Sequence, residues 1–424
     1  MLGLLRRGAK RAGHRAAATA PGGDRPAPAG EILDIPVGEL RPGMFVAELD
    51  RPWEETPFAL QGFFVRSEAD IEEIARHCRR VRIDLRASRA AGAPVDRLAG
   101  RARELYALPA RDDWRREEAT YQRVVQLTFG LLDRIALGSG ESSAAVREVV
   151  DTCVASVLAN PYALALIAQM ERVSAALENH AIACCALAAS FGRYLGLAGR
   201  DLENLALGAL LHDVGMLRLP AELVRAQTPL DAAQRELLGR HAALGSAVLV
   251  SNEYYWPAVD VAYAHHERID GTGYPRRLAG SAIPFNARVV AIVDAYDRLT
   301  SPDSYRRPLL SPTRAMGEIY AGRGTQFDAQ LVEKFIRFMG VYPLGTPVVL
   351  SSGEIAVVVE KNPLYMVLPK VRVVADAAGR PVPPRLLDLF AECQRGEGIR
   401  IRRTLPLDER IKALVDAAVA EGEA

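Results

Sequence analysis

ALLHDVG (residues 209–215), AYAHHERIDGTGYP (262–275) and AIVDAYD (291–297) decide how this chain reads. The stretch from His180 to Asp294 holds five of the seven histidines: His180, His212, His241, His265 and His266. Asp213 and Asp294 add two carboxylates to the set. Nitrogen with carboxylate oxygen suits borderline or hard divalent ions such as Fe, Mn, Ni or Zn. No thiol falls into the pattern, which argues against a structural zinc knuckle. These candidate ligands exceed what one ion needs while positions stay open for water and substrate. Two neighbouring ions sharing a bridging carboxylate use them all. His180 borders an apolar stripe of Leu177, Ala181, Cys184, Ala188, Phe191 and Leu195. A lone inward histidine is ordinarily a hydrogen-bonded core residue; the four later histidines override that reading. Every candidate lies on or at the end of a predicted helix, a rigid frame for a site.

Working outward, 424 residues allow two or three domains with at least one substantial core. Hydrophobic residues at 49% and charged residues at 25% are those of an ordinary globular protein, and a net charge of +1 gives no global case for a nucleic-acid polymer or an anionic membrane. Cys78, Cys153, Cys184, Cys185 and Cys393 form no C-x-x-C pair, so buried free thiols in a reducing cytoplasm are expected. The N-terminus lacks the apolar core of a signal peptide, and no run of 18 apolar residues follows. A soluble chain with no transmembrane segment is expected.

Residues 1–30 read as a disordered basic tail. Residues 31–88 read as a small α+β module: EILDIPVGELRPGMFVAEL as a hairpin around Arg41-Pro42-Gly43, then a helix capped by Ser67 and a strand. Residues 89–124 read as a linker opening into a charged helix, which either extends the core or pairs with its copy in a homodimer. Residues 125–345 are helical, with a break at Asn160-Pro161, a helix capped by Asp201, and one capped near Thr228 or Asp231. Residues 346–424 switch to a period of two and end in an amphipathic helix, a β appendage with a terminal helix. The fold class expected is mainly α, a helical bundle with a small N-terminal α+β module and a small C-terminal β appendage.

His180…His212-Asp213…His241…His265-His266-Glu267-Arg268…Asp270-Gly271-Thr272-Gly273-Tyr274-Pro275…Asp294 resembles the HD-GYP domain, a branch of the HD phosphohydrolase superfamily that degrades cyclic di-GMP. The resemblance covers about residues 125–345, and LRPGMFVAELDRPW resembles the module that often precedes such domains. It implies a binuclear centre, with Fe or Mn the usual metals. His180, His212, Asp213 and Asp294 would hold the first ion, and Asp213 would bridge to a second held by His241, His265 and His266. A third ion in some relatives uses a glutamate where this chain has Ala176. The resemblance further implies a signalling phosphodiesterase that hydrolyses cyclic di-GMP to pGpG and/or GMP. A water bridging the ions would attack, and Asp297, one turn past Asp294, is the candidate for acid or supporting work. Arg268, Asp270, Gly273, Tyr274 and Arg306 are the candidate substrate contacts, with a turn-stabilising role equally open to Arg268 and Asp270. The GYP loop would also meet a diguanylate cyclase (GGDEF) partner.

Two positions depart from the family. Its H-D-x-G-K ends here in Met216, and its R-P-Y-R reads Asp303-Ser304-Tyr305-Arg306. Those family cations face the substrate phosphates. One charge-assisted phosphate contact contributes about 1.5–3 kcal/mol, so its loss costs about ten- to a hundredfold. Two readings follow: an active phosphodiesterase, slowed or shifted toward another nucleotide, and an effector that binds cyclic di-GMP or docks a GGDEF protein without turnover.

Overall fold

A computed structural model describes the protein over residues 32–50, 58, 62–99, 107–108, 111–138, 143–170, 177–226, 228–254, 256–301, 309–362, 365–396, 398–407 and 409–420. The expected basic tail lies outside these residues, as do Ala176, Asp303 and Arg306.

The N-terminal module is built from β1 (Ile32–Pro36), β2 (Phe45–Leu49), β3 (Phe63–Phe64), α1 (Glu68–His77), β4 (Arg80–Asp84) and α2 (Leu85–Ala90). Ser67 caps α1 as expected, its hydroxyl accepting from the Asp70 amide while Asp70 accepts from the Ser67 amide. The hairpin is not formed. The sheet order is β1-β4-β2-β3, so β4 lies between the two strands expected to pair. Alternation of apolar residues tells which face is buried, not which strand is the neighbour. Leu33, Ile35, Val46, Val81 and Ile83 all turn to one core, and Ala93, Val95 and Leu98 join it. The segment read as a linker from residue 89 is therefore part of the module as far as Leu98.

α3 (Arg111–Thr128) runs through the boundary placed at 125, and buries Tyr121 and Val124 in the main core. α4 (Leu131–Leu137), α5 (Ser143–Ala159) and α6 (Ala163–Met170) follow. The break between α5 and α6 is held by Asn160, whose side-chain oxygen accepts from the amides of Tyr162 and Ala163. Next comes α7 (Leu177–Tyr194), buried on all sides from Ala181 to Gly192. A helix that is apolar all round belongs at the centre of its bundle. α8 (Gly199–Leu211) crosses it closely. Its N-cap is Ala198, so Asp201 falls in the first turn, facing the positive end of the helix dipole rather than capping it.

A 3-10 turn (Val214–Arg218), α9 (Ala221–Val224), α10 (Ala232–Gly239, capped by Asp231), α11 (His241–Ser251), α12 (Trp256–Ala264), α13 (Phe285–Thr300), α14 (Pro312–Ala321) and α15 (Ala329–Met339) complete the helices of the bundle. Gly215 sits back to back with α11: a Cβ there would stand 2.0 Å from the His241 carbonyl oxygen and 2.4 Å from the Gly245 nitrogen. That approach sets the distance between the 212–213 turn and His241.

The C-terminal strands β5 (Pro347–Leu350), β6 (Ile355–Glu360), β7 (Lys370–Ala375), β8 (Pro381–Asp388) and β9 (Ile401–Thr404) form an antiparallel sheet, order β8-β7-β6-β5-β9, with α16 (Leu389–Arg395) and α17 (Glu409–Ala420). This part is less separate than an appendage. Val348, Val357, Val371 and Val415 lie in one continuous core with Phe335 and Phe338 of α15. Lys361, next to β6, donates to the Phe338 carbonyl at 2.8 Å and lies 3.8 Å from the Tyr162 ring. Burial pushes its ammonium pKa down to about 7. Among the described residues, no single helix is long and apolar enough to cross a membrane.

Gly215→Ala is expected to lower stability by about 1–3 kcal/mol through overpacking, read as the midpoint of urea denaturation; an unchanged midpoint would show the approach to be slack. For Lys361, the folded pKa of about 7 lies below the ordinary 10.5. Between those values the unfolded chain holds a proton that the folded chain does not, so stability rises with pH there. Wild type should therefore gain on Lys361→Met in chemical denaturation as pH climbs from 7 to about 10. A constant difference across that window would place the ammonium outside the core.

Candidate metal centre

His180 sits in the first turn of α7, His212 and Asp213 at the end of α8, and His241 at the start of α11; His265 and His266 follow the end of α12, and Asp294 and Asp297 lie in α13. These elements bring the expected ligands together. Their atoms form two groups, each within 4.8 Å: His180, Cys184, His212 and Asp294, and Asp213, His241, His265 and His266.

The ring nitrogens away from the centre decide what the inner ones can do. Nδ1 of His212 donates to the Ala209 carbonyl at 2.7 Å, and Nδ1 of His241 to Leu238 at 2.7 Å. Nδ1 of His265 donates to Val261 and Ala262, each at 3.1 Å. Nδ1 of His180 faces the Asp297 carboxylate at 2.6 Å. A carbonyl or carboxylate only accepts, so Nδ1 carries the proton and a neutral ring presents a lone pair at Nε2. Those lone pairs converge: Nε2 of His180 and His212 are 3.3 Å apart, as are Nε2 of His241 and His265.

Carboxylate oxygens join them. Asp294 Oδ1 lies 3.1 Å from His180 Nε2 and 3.6 Å from His212 Nε2. Asp213 divides its two oxygens: Oδ2 is 3.7 and 3.6 Å from the same two nitrogens, while Oδ1 is 3.4 Å from His241 Nε2 and 3.5 Å from His265 Nε2. Asp213 Oδ1 is buried and has no hydrogen-bond donor. Buried acceptors facing only acceptors are unstable without positive charge between them. Two divalent cations meet that need, and the residues present fit them.

Three of these rings are also held toward the neutral form, and His212 is not. Burial holds His180 and His241 down to about 4 and His266 well below its ordinary value. Burial also opposes charge on His212, but the carboxylates of Asp213 and Asp294 outweigh it and shift that ring upward. Asp213 and Asp294 are disfavoured as anions by burial, yet the Arg298 guanidinium and neighbouring rings hold both well below the usual carboxylate range.

Two participants were not in the ligand pattern. Cys184 Sγ lies 3.8 Å from both ring nitrogens of His180, so a thiol does stand at the first group. Its position four residues after His180, on the same helix face, was the available signal. Arg298, four residues after Asp294, donates from Nε to Asp294 Oδ1 at 2.6 Å and from Nη2 to Asp213 Oδ2.

The GYP loop is held by its own residues. Glu267 is buried and accepts from the amides of Arg276 at 2.7 Å and Leu278 at 2.9 Å. Arg268 pairs with Asp270 at 3.0 Å, and Asp270 also accepts from the Thr272 amide at 3.0 Å. Gly273 packs so tightly that a Cβ would meet the Arg268 nitrogen at 2.4 Å and the His266 oxygen at 2.6 Å. Tyr274, followed by a cis bond to Pro275, places its half-exposed ring 4.9 Å from that of His266. Met216 is buried in the 3-10 turn.

Comparison with known proteins agrees with this geometry. Residues 163–331 match the HD domain family, and residues 32–152 match a domain of unknown function. Cyclic di-GMP phosphodiesterase PA4108 of Pseudomonas aeruginosa is 31% identical over 369 residues, spanning 84% of this chain and 88% of that protein. The cyclic di-GMP phosphodiesterase response regulator RpfG of Xanthomonas campestris is 33% identical over 145 residues, 34% of this chain and 38% of that protein. The 3'3'-cGAMP-specific phosphodiesterase 2 of Vibrio cholerae is 31% identical over 171 residues, 40% of this chain and 32% of that protein. The likeness to the Pseudomonas protein extends well past the HD domain, and this chain belongs to the HD-GYP family of HD-domain phosphodiesterases.

Proposed function

We propose that this protein is a metal-dependent phosphodiesterase that hydrolyses cyclic di-GMP to pGpG and/or GMP in second-messenger signalling. One observation carries the proposal: Asp213 offers one carboxylate oxygen to each of two groups of inward imidazole lone pairs. His180, His212, Asp294 and Asp213 Oδ2 would hold one divalent ion; His241, His265, His266 and Asp213 Oδ1 would hold the other. Fe or Mn suits this nitrogen and carboxylate set. Bound there, such ions lower the pKa of a water and neutralise charge on a phosphoryl group under attack.

The chain's own residues prepare that site. Asp297 is fully buried against His180 Nδ1, so it orients the ring and keeps Nε2 free of a proton. We assign it that positioning role rather than proton transfer to substrate. Backbone carbonyls do the same for His212, His241 and His265. Among the candidate substrate contacts, Tyr274 is half exposed beside His266 and suits stacking against a base. Arg268, Asp270 and Gly273 support it by fixing the loop. Family membership, with PA4108 matched along most of both chains, supports cyclic di-GMP as the substrate. The likeness to a cGAMP-specific enzyme makes 3'3'-cGAMP the comparison substrate.

The test is single-turnover hydrolysis of cyclic di-GMP and 3'3'-cGAMP in parallel, on protein purified anaerobically with its metal content measured. Linear pGpG or GMP from protein holding two ions per chain is expected, with activity lost on chelation and restored by Fe or Mn. Fully metallated protein that binds cyclic di-GMP without cleaving it would make the chain an effector instead. His212→Ala with Asp213→Ala is expected to strip metal while circular dichroism stays helical; retained metal would sink the ligand assignment. For Asp297→Asn, a fall in metal affinity of about ten- to a hundredfold is expected.

A further inference from the structure

Arg298 stands at the last turn of α13 with its side chain 41% exposed, yet its guanidinium reaches inward to the carboxylates of Asp213 and Asp294. Its Nε bonds Asp294 Oδ1 and its Nη2 bonds Asp213 Oδ2. Those are the two oxygens turned toward His180 Nε2 and His212 Nε2. The other half of the centre is different: Asp213 Oδ1 faces His241 and His265 at 3.4 and 3.5 Å, and among the described residues no cationic donor bonds it. Among the described residues, an arginine thus joins the first group of ligands and no cation joins the second.

We infer that Arg298 is a tethered competitor of the first-group metal ion, so that the two ions load in order, the His241–His265–His266 position before the His180–His212–Asp294 position. The inference rests on the binuclear reading of the site. An ion entering the first position must take the Asp294 and Asp213 oxygens from the guanidinium, whose exposed side gives it water to swing into. A site that is competent only when a side chain has moved away binds with its affinity reduced by the competent fraction. A tenfold weaker first position corresponds to about 1.4 kcal/mol, near the low end of the coupling found for close, partly desolvated charge pairs.

The experiment is a titration of metal-free full-length protein with Mn²⁺ alone, counting bound ions by the loss of the free Mn²⁺ electron paramagnetic resonance signal. Wild type is expected to bind one ion tightly and one about tenfold or more weakly. His180→Ala should remove the weaker event and His241→Ala the tighter one. Arg298→Gln should strengthen the weaker event by about tenfold and leave the tighter unchanged, with Arg298→Lys between. Melting temperatures give a second readout: without metal Arg298→Gln should melt below wild type, and saturating Mn²⁺ should close the gap. If Arg298→Gln leaves the weaker event unchanged or weakens it, or if His180→Ala removes the tighter event, the competitor role is overturned while the metal centre stands. If wild type takes up no Mn²⁺, the metal centre falls and this inference with it.

Discussion

Asp213 has one carboxylate and two sets of imidazole lone pairs to face, and the bundle is arranged around that division. Its Oδ2 looks toward His180 and His212, its Oδ1 toward His241 and His265. Holding it there takes the end of α8, the start of α11, the end of α12 and the middle of α13 at once. The Gly215–His241 approach, the carbonyls behind the Nδ1 atoms and the buried centre of α7 all serve the same geometry. A buried group of acceptors is costly unless positive charge joins it. Much of the local structure is an answer to that cost.

Much of this candidate centre was legible in the sequence because metal ligation would need few residue types and tolerate little else. Histidines and aspartates recurring at helix ends between His180 and Asp294 are a pattern that packing alone does not require. What escaped was the company they keep. Arg298 and Cys184 each lie one helical turn from a candidate ligand, a spacing visible in the sequence, but an arginine in a chain where five of 53 basic residues are lysines draws no notice. Cys184 was read as core because it sits in an apolar stripe, and it is buried there; its sulfur still reaches His180.

The fold was legible in its elements and less so in their partnerships. Periodicity located the helices, and Asn160-Pro161 broke one where the turn occurs. The β1–β2 hairpin failed because β4, more than thirty residues further along, inserts between the strands, and strand order is settled by long-range pairing that no local pattern records. The Asp201 cap failed for a smaller reason: the helix begins at Gly199, so the aspartate lies inside it. Composition marked a linker from residue 89, yet Val95 and Leu98 complete the core of the module they were thought to leave.

The core shared by α15 and the C-terminal sheet bears on how such chains diversify. Phe335 and Phe338 pack on Phe191 of α7, and Phe338 also meets Lys361 beside β6, in a core continuous with the strands. A recombination joint placed between helix and sheet would expose that core on one fragment and leave the other without its complement. The cooperative unit here is therefore larger than the HD domain itself, while the N-terminal module keeps a core of its own.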